Sequence, residues 1–137
     1  MKLNLSKLPW YNRGDIWVTG FILSQDRFLR NEDLLLYFSD AVTLPEFEEK
    51  LKSANGQFSV IIRRENEIWA ATDRLRHWPL FYTRYDGQFI ISDDCYKLAE
   101  LRSENLPDTN AVDCFLASGY VINDRTLIRD IYQVEAG

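Results

Sequence analysis

The sequence holds one histidine and two cysteines, Cys95 and Cys114. That set is too small to close a zinc site, and no metal is expected. A disulfide staple is not expected either. The opening residues, Met1-Lys2-Leu3-Asn4-Leu5-Ser6-Lys7, are too polar for a secretion signal, so both thiols read as free in a reducing compartment. No run approaches the ~20 apolar residues of a membrane span. With only 6 glycines and 4 prolines, a collagenous or low-complexity chain is excluded. Cations are in the minority, 16 Lys and Arg against 21 Asp and Glu, for a formal charge of −5. Nucleic-acid binding needs clustered cations, and acidic residues flank Arg63-Arg64 and the pair Arg74 and Arg76. The expectation is a cytoplasmic protein with no cofactor and no nucleic-acid or membrane partner.

Apolar residues make up 46% of the 137, and aromatics 14%. A chain of this length hides about two thirds of its unfolded surface, enough for one domain with a core of its own. Ile16-Trp17-Val18-Thr19-Gly20-Phe21-Ile22-Leu23 is β-branched and aromatic and predicts a strand, with Gly20 marking a close backbone approach. Asn31 is placed to cap a helix beginning Glu32-Asp33-Leu34. Thr43-Leu44-Pro45-Glu46 has capping-box spacing, and Asn55-Gly56 should end that helix with a left-handed glycine. The period then changes to two. Gln57 to Arg63 and Glu67 to Thr72 flank a polar turn at Arg64-Glu65-Asn66. Leu80 to Tyr85 and Gln88 to Ser92 flank Asp86-Gly87, a strong hairpin signal. Helical pattern returns over residues 93–103 and 109–118, the latter capped by Asp108 or Thr109, and residues 126–134 predict a last strand. Antiparallel strands with grouped helices make an α+β domain.

Three segments in this order carry a family resemblance. They are Asn55-Gly56-Gln57-Phe58-Ser59-Val60-Ile61-Ile62, then Thr72-Asp73-Arg74-Leu75-Arg76-His77-Trp78-Pro79-Leu80-Phe81-Tyr82, then Phe89-Ile90-Ile91-Ser92-Asp93-Asp94. Together with Phe115-Leu116-Ala117-Ser118-Gly119-Tyr120-Val121 and the run from Asp124 to Tyr132, they resemble the class II glutamine amidotransferase domain of asparagine synthetases. The resemblance implies a truncated N-terminal-nucleophile hydrolase (αββα) domain, with residues 1–15 as an N-terminal extension and 16–134 as the core of a single domain. It also implies family turn positions at Asn55, Gly56, Asp73, Arg74 and Pro79.

In that family the residue after the initiator Met is a Cys, whose thiolate attacks the glutamine amide while its own amine moves the proton. Here Met1-Lys2 opens the sequence. The Asn-Gly pair of the oxyanion hole corresponds to Thr19-Gly20, a vestigial position. Gly20 can still offer a backbone N–H, but a Thr hydroxyl does not reproduce the Asn amide, and one such donor is worth on the order of 3 kcal/mol. The acidic residue that holds the substrate amine corresponds to Arg30-Asn31, with Glu32 and Asp33 as open substitutes. Arg76 stands where the family has Gly, and no Ser-Gly-Gly-x-Asp-Ser loop for ATP is present. No catalytic residue is therefore assigned.

The remaining candidates read as structural. His77 is read as a turn residue beside a core Trp rather than a base, and Asp73-Arg74 as a structural ion pair or turn cap rather than a substrate clamp. Asp93 and Asp94 should raise the Cys95 thiol pKa, and Cys114 reads as a small buried residue. Trp17 and Trp69 should pack, while Trp10-Tyr11 could face a partner.

The implied function is a non-catalytic binding or scaffold module, part of or partner to an asparagine synthetase-like, ATP-dependent amide-forming enzyme in asparagine biosynthesis. The synthetase domain would act in cis or trans. The alternative is a fragment of an active glutamine-hydrolysing asparagine synthase whose catalytic residues lie outside this chain. A shortened two-sheet fold should leave a face or edge to cover, so a homodimer is expected.

Overall fold

The computed structural model describes residues 1–136. Among the described residues, nine strands and four helices form an α+β fold in two compact units, each with its own sheet and core. One unit runs from Leu8 to Pro79 together with Ala136; the other joins Met1–Lys7 to Leu80–Glu135.

The first unit is built on β3 (Ile16–Ser24), β5 (Gly56–Arg63) and β6 (Ile68–Thr72), with β2 (Tyr11–Arg13) on the outer edge. All pairings are antiparallel, with Val18 opposite Val60 and Val60 opposite Ala71. Residues 58–62 of β5 are buried without interruption, so neither face of this central strand meets solvent. An unexpected strand, β4 (Arg27–Arg30), returns along β3 through Gln25-Asp26. Both turn residues have positive φ (48° and 61°), the two-residue geometry that matches strand twist.

Helix α1 (Glu32–Ser39) packs Leu34, Leu35 and Phe38 into this core. Asn31 precedes it, but its side chain caps nothing. The backbone there sits at φ 49°, ψ −115°, away from the extended conformation a side-chain cap requires. Helix α2 (Leu44–Ser53) does carry the expected capping box. The Thr43 hydroxyl accepts from the Glu46 N–H, and the Glu46 carboxylate accepts from the N–H groups of Thr43 (2.9 Å) and Val42 (2.8 Å). The core closes around Phe38, whose ring meets those of Tyr37, Phe47 and Phe58 at 5.0–6.0 Å.

The expected left-handed glycine at the end of α2 is absent. Ala54 ends the helix in an extended conformation, and Gly56 is the first residue of β5. Its requirement is space: a Cβ there would lie 2.2 Å from the Phe21 carbonyl oxygen and 2.6 Å from the Ile22 Cα.

The second unit has the order β1-β8-β7-β9: β1 (Lys2–Asn4), β7 (Phe81–Tyr85), β8 (Gln88–Ser92) and β9 (Ile131–Gln133). The β7–β8 hairpin turns at Asp86-Gly87, both at positive φ, as its sequence predicts. β1 pairs with β8 in parallel, so residues 1–15 contribute one strand to each sheet. Helix α3 is five residues long (Cys95–Ala99), not the span 93–103. It is stopped by 3₁₀-type bonds, Leu101 N–H to Leu98 and Arg102 N–H to Ala99, with the Asn105 amide also donating to the Ala99 carbonyl.

Helix α4 (Thr109–Ser118) takes Asp108 as its cap, the carboxylate accepting from Ala111 N–H at 3.1 Å. The final strand is also shorter than predicted. The Thr126 hydroxyl lies 3.0 Å and 2.7 Å from the carbonyls of Ile128 and Ile131, and Asp130 adopts φ 61°, so only residues 131–133 extend. Among the described residues no helix is long and apolar enough to cross a membrane.

Candidate functional site

β6 runs out at Thr72, and the chain wraps around the next side chain. Asp73 is 3% exposed, and its carboxylate accepts four N–H donors. Oδ1 takes Leu75 N–H (2.9 Å) and His77 Nδ1 (2.8 Å); Oδ2 takes Phe58 N–H (3.3 Å) and His77 N–H (3.1 Å). The Asp73 N–H itself donates to the Phe58 carbonyl, so this residue closes the β5–β6 ladder and organises the turn beyond it. Arg76 completes the turn at φ 51°, a left-handed conformation of the kind a glycine adopts without cost. Arg74 reaches the other way, its Nη2 donating to the Lys52 carbonyl in the last turn of α2 at 3.0 Å.

These residues border a cavity of about 250 Å3. Its polar lining includes Asn55, Asp73, Arg74 and His77, with Leu51 and Phe58 among the apolar lining. Four of the sequence-marked turn positions, Asn55, Gly56, Asp73 and Arg74, thus come together in one place; Pro79, Thr19 and Gly20 are not part of its lining. His77 belongs with them as the partner of Asp73. The only sequence sign of this was its spacing, four residues after the acid in a turn too short to separate them.

Thr19 and Gly20 lie on β3, opposite Ser59 and Phe58. Thr19 is buried, and its hydroxyl donates to the Pro9 carbonyl at 3.2 Å. Gly20 has φ 89°, and a Cβ there would meet the Gln57 carbonyl oxygen at 2.0 Å and the Trp78 indole nitrogen at 2.8 Å. The indole is held there by its own backbone, since the Trp78 carbonyl accepts the Ser59 hydroxyl. Its Nε1 is buried with no hydrogen-bond partner among the described residues. Trp78, expected from the sequence in the core, is only half-buried and packs its indole donor against Gly20.

Residues 43–137 match the family model described as the glutamine amidotransferase domain. The chain belongs to this family. The matched stretch takes in the Asp73 turn, the cavity lining and both cysteines, and leaves out Thr19 and Gly20. Comparison with curated proteins and with solved structures gave no match.

Within this amidotransferase domain the cysteines stand apart from the Asp73 turn in sequence and lie in the other unit. Cys95 opens α3 and is half-buried. Burial pushes its thiol pKa up, Asp94 adds to the rise, and Lys7 opposes it. A thiol so placed stays protonated near neutrality and is a poor nucleophile. Cys114 lies half-buried along α4 rather than fully enclosed. Among the described residues no group of three or more His, Cys, Asp or Glu side chains is arranged to hold a metal.

Proposed function

We propose that this glutamine amidotransferase domain is a non-catalytic binding or scaffold module of, or partner to, an asparagine synthetase-like, ATP-dependent amide-forming enzyme. The observation that carries the reading is Thr19. It stands where the resemblance puts the amide donor of the oxyanion hole, and its hydroxyl is engaged with the Pro9 carbonyl. A hydroxyl turned into the protein cannot stabilise charge developing on a substrate carbonyl. The raised Cys95 thiol supports the same reading. On this reading the domain is of class II with an N-terminal-nucleophile hydrolase fold and a degenerate site. It works in the cytoplasm as a homodimer and contacts the synthetase in cis or trans.

The test is ammonia release from L-glutamine by the full-length polypeptide, wild type and Cys95→Ala. No turnover in either is expected. Turnover abolished by Cys95→Ala would overturn the proposal, and turnover insensitive to it would favour an active synthase whose catalytic residues lie outside this chain. Static light scattering at micromolar concentration checks the dimer, and a clean monomer would refute that part.

A further inference from the structure

Helix α4 is fastened at one end and covered by little. At its foot the Asp108 N–H donates to the Leu127 carbonyl, the Arg129 N–H donates to the Leu106 carbonyl, and the Asp108 carboxylate accepts from Arg125 Nη1 at 2.6 Å. Beyond that foot, among the described residues, no strand or helix of its unit packs along it, and only Ala111 of its ten residues is buried. One exposed stripe of the helix is apolar. Val112, Phe115 and Leu116 are spaced i, i+3 and i+4 and so share a face, and the exposed Tyr120 and Ile122 extend the apolar run past the helix end. Leu116 is 76% exposed and Tyr120 61%. Asp113 is the only charged residue between Thr109 and Ile122, in a chain that is 27% charged.

Area and charge both point to a second copy as the occupant. Phe115, Leu116, Tyr120 and Ile122, with Leu106 and Leu127 at the foot, leave roughly 600 Å2 of surface open. Covering that much on each of two chains removes about 1,200 Å2, where stable specific interfaces begin. The chain carries a charge of −5, so two copies repel wherever carboxylates meet, and this stretch lets them touch with few carboxylates at the seam. A transient partner is steered by charge and meets a surface no more apolar than the rest of a protein. An apolar, charge-poor contact is the character of a homodimer.

We propose that two copies of this chain associate through a two-fold contact between their α4 helices, the stripe of Val112, Phe115 and Leu116 on one copy lying against the same stripe on the other. Tyr120 and Ile122 close the ends of the contact. This interface rests on the homodimer proposed above and supplies its surface.

The test compares the full chain with three variants by sedimentation equilibrium across the micromolar range, with far-UV circular dichroism to follow the fold. Wild type is expected as a dimer. Leu116→Lys sets two cations against each other at the centre of the contact and should raise the dimer dissociation constant about a hundredfold. Tyr120→Ser, beyond the helix, should raise it about tenfold and carries the test should Leu116→Lys unfold. Tyr96→Lys is the control: its side chain is comparably exposed, on α3, along which α4 does not pack, and the constant should stay at the wild-type value. A dimer unmoved by Leu116→Lys in a folded variant, or by Tyr120→Ser where Leu116→Lys unfolds, overturns the α4 contact and leaves the homodimer standing. Equal weakening by Tyr96→Lys overturns it in the same way. A wild-type monomer overturns both the contact and the homodimer, and the face then belongs to a different polypeptide.

Discussion

Replacing Asp73 by Ala is the sharpest test of how the turn is held. The change strands four N–H donors at once, but they are not equivalent. Phe58 is 2% exposed, so its N–H cannot turn to water, and an orphaned buried donor costs about 1–3 kcal/mol. The N–H groups of Leu75 and His77 lie in a turn whose side chains are exposed, so water can replace the carboxylate there at about 0.5–1.5 kcal/mol each. The imidazole bond adds a similar amount. Asp73→Ala should therefore lose roughly 3–5 kcal/mol, a large share of the ~5–15 kcal/mol that holds a typical domain. Asp73→Asn keeps the volume and one acceptor oxygen and should lose about half as much. Urea unfolding followed by tryptophan fluorescence measures both, since Trp69 and Trp78 flank the turn. A loss below about 1 kcal/mol for the Ala variant, the range of unremarkable surface changes, would refute the assignment of Asp73 as organiser of the turn.

Three further outcomes are expected. Gly56→Ala places a methyl 2.2 Å from a backbone oxygen and should cost about 1–3 kcal/mol by forcing β3 and β5 apart; an unchanged urea midpoint would contradict this. Tyr82 donates to Asp124 at 3.0 Å, and burial, then the bonded acid, pushes its pKa up to about 12. Its contribution to stability is complete below about pH 10, where the unfolded phenol begins to ionise, and is lost as pH rises toward 12. Absorbance titration should show one tyrosine ionising after the others, and Tyr82→Phe should remove it. The Ala111 N–H and the Arg125 guanidinium hold the Asp108 carboxyl below its usual range. That stabilisation is present above about pH 4 and is lost as pH falls through the lowered folded value. Asp108→Ala should therefore cost about 1–2 kcal/mol at neutrality, and the gap to wild type should close in strong acid.

Much of the fold was legible because it is local. The capping box at Thr43 and Glu46, the Asp108 cap and the Asp86-Gly87 turn each announce themselves within four residues, and the structure has all three. What stayed hidden depends on partners far along the chain or on backbone shapes that the residue type does not favour. Lys2-Leu3-Asn4 has no strand pattern of its own and extends because β8 offers it an edge. Gln25-Asp26 turns with the geometry of an Asn-Gly pair but without its residues, so β4 was not foreseen. Asp130 bends the chain where residues 126–134 read as continuous strand. At the candidate site, the residues Asn55, Gly56, Asp73 and Arg74 were visible as a motif. Their meeting around one cavity was not, because it requires the end of α2 and the end of β6 to arrive together.

The pairing of β1 with β8 bears on the order in which the polypeptide can organise during synthesis. Everything that surrounds Phe38 comes from one uninterrupted stretch, Leu8 to Pro79, and can condense as soon as that stretch has left the ribosome. Lys2, although made earlier, must wait for Ile90 before it has its strand partner, and Ser6 and Lys7 wait for the Asp93 carboxylate that receives their N–H groups. Closing residues 1–7 onto β8 is thus a slow, late, long-range step. A polypeptide released after Pro79 would carry a folded Leu8–Pro79 unit and protease-sensitive residues 1–7.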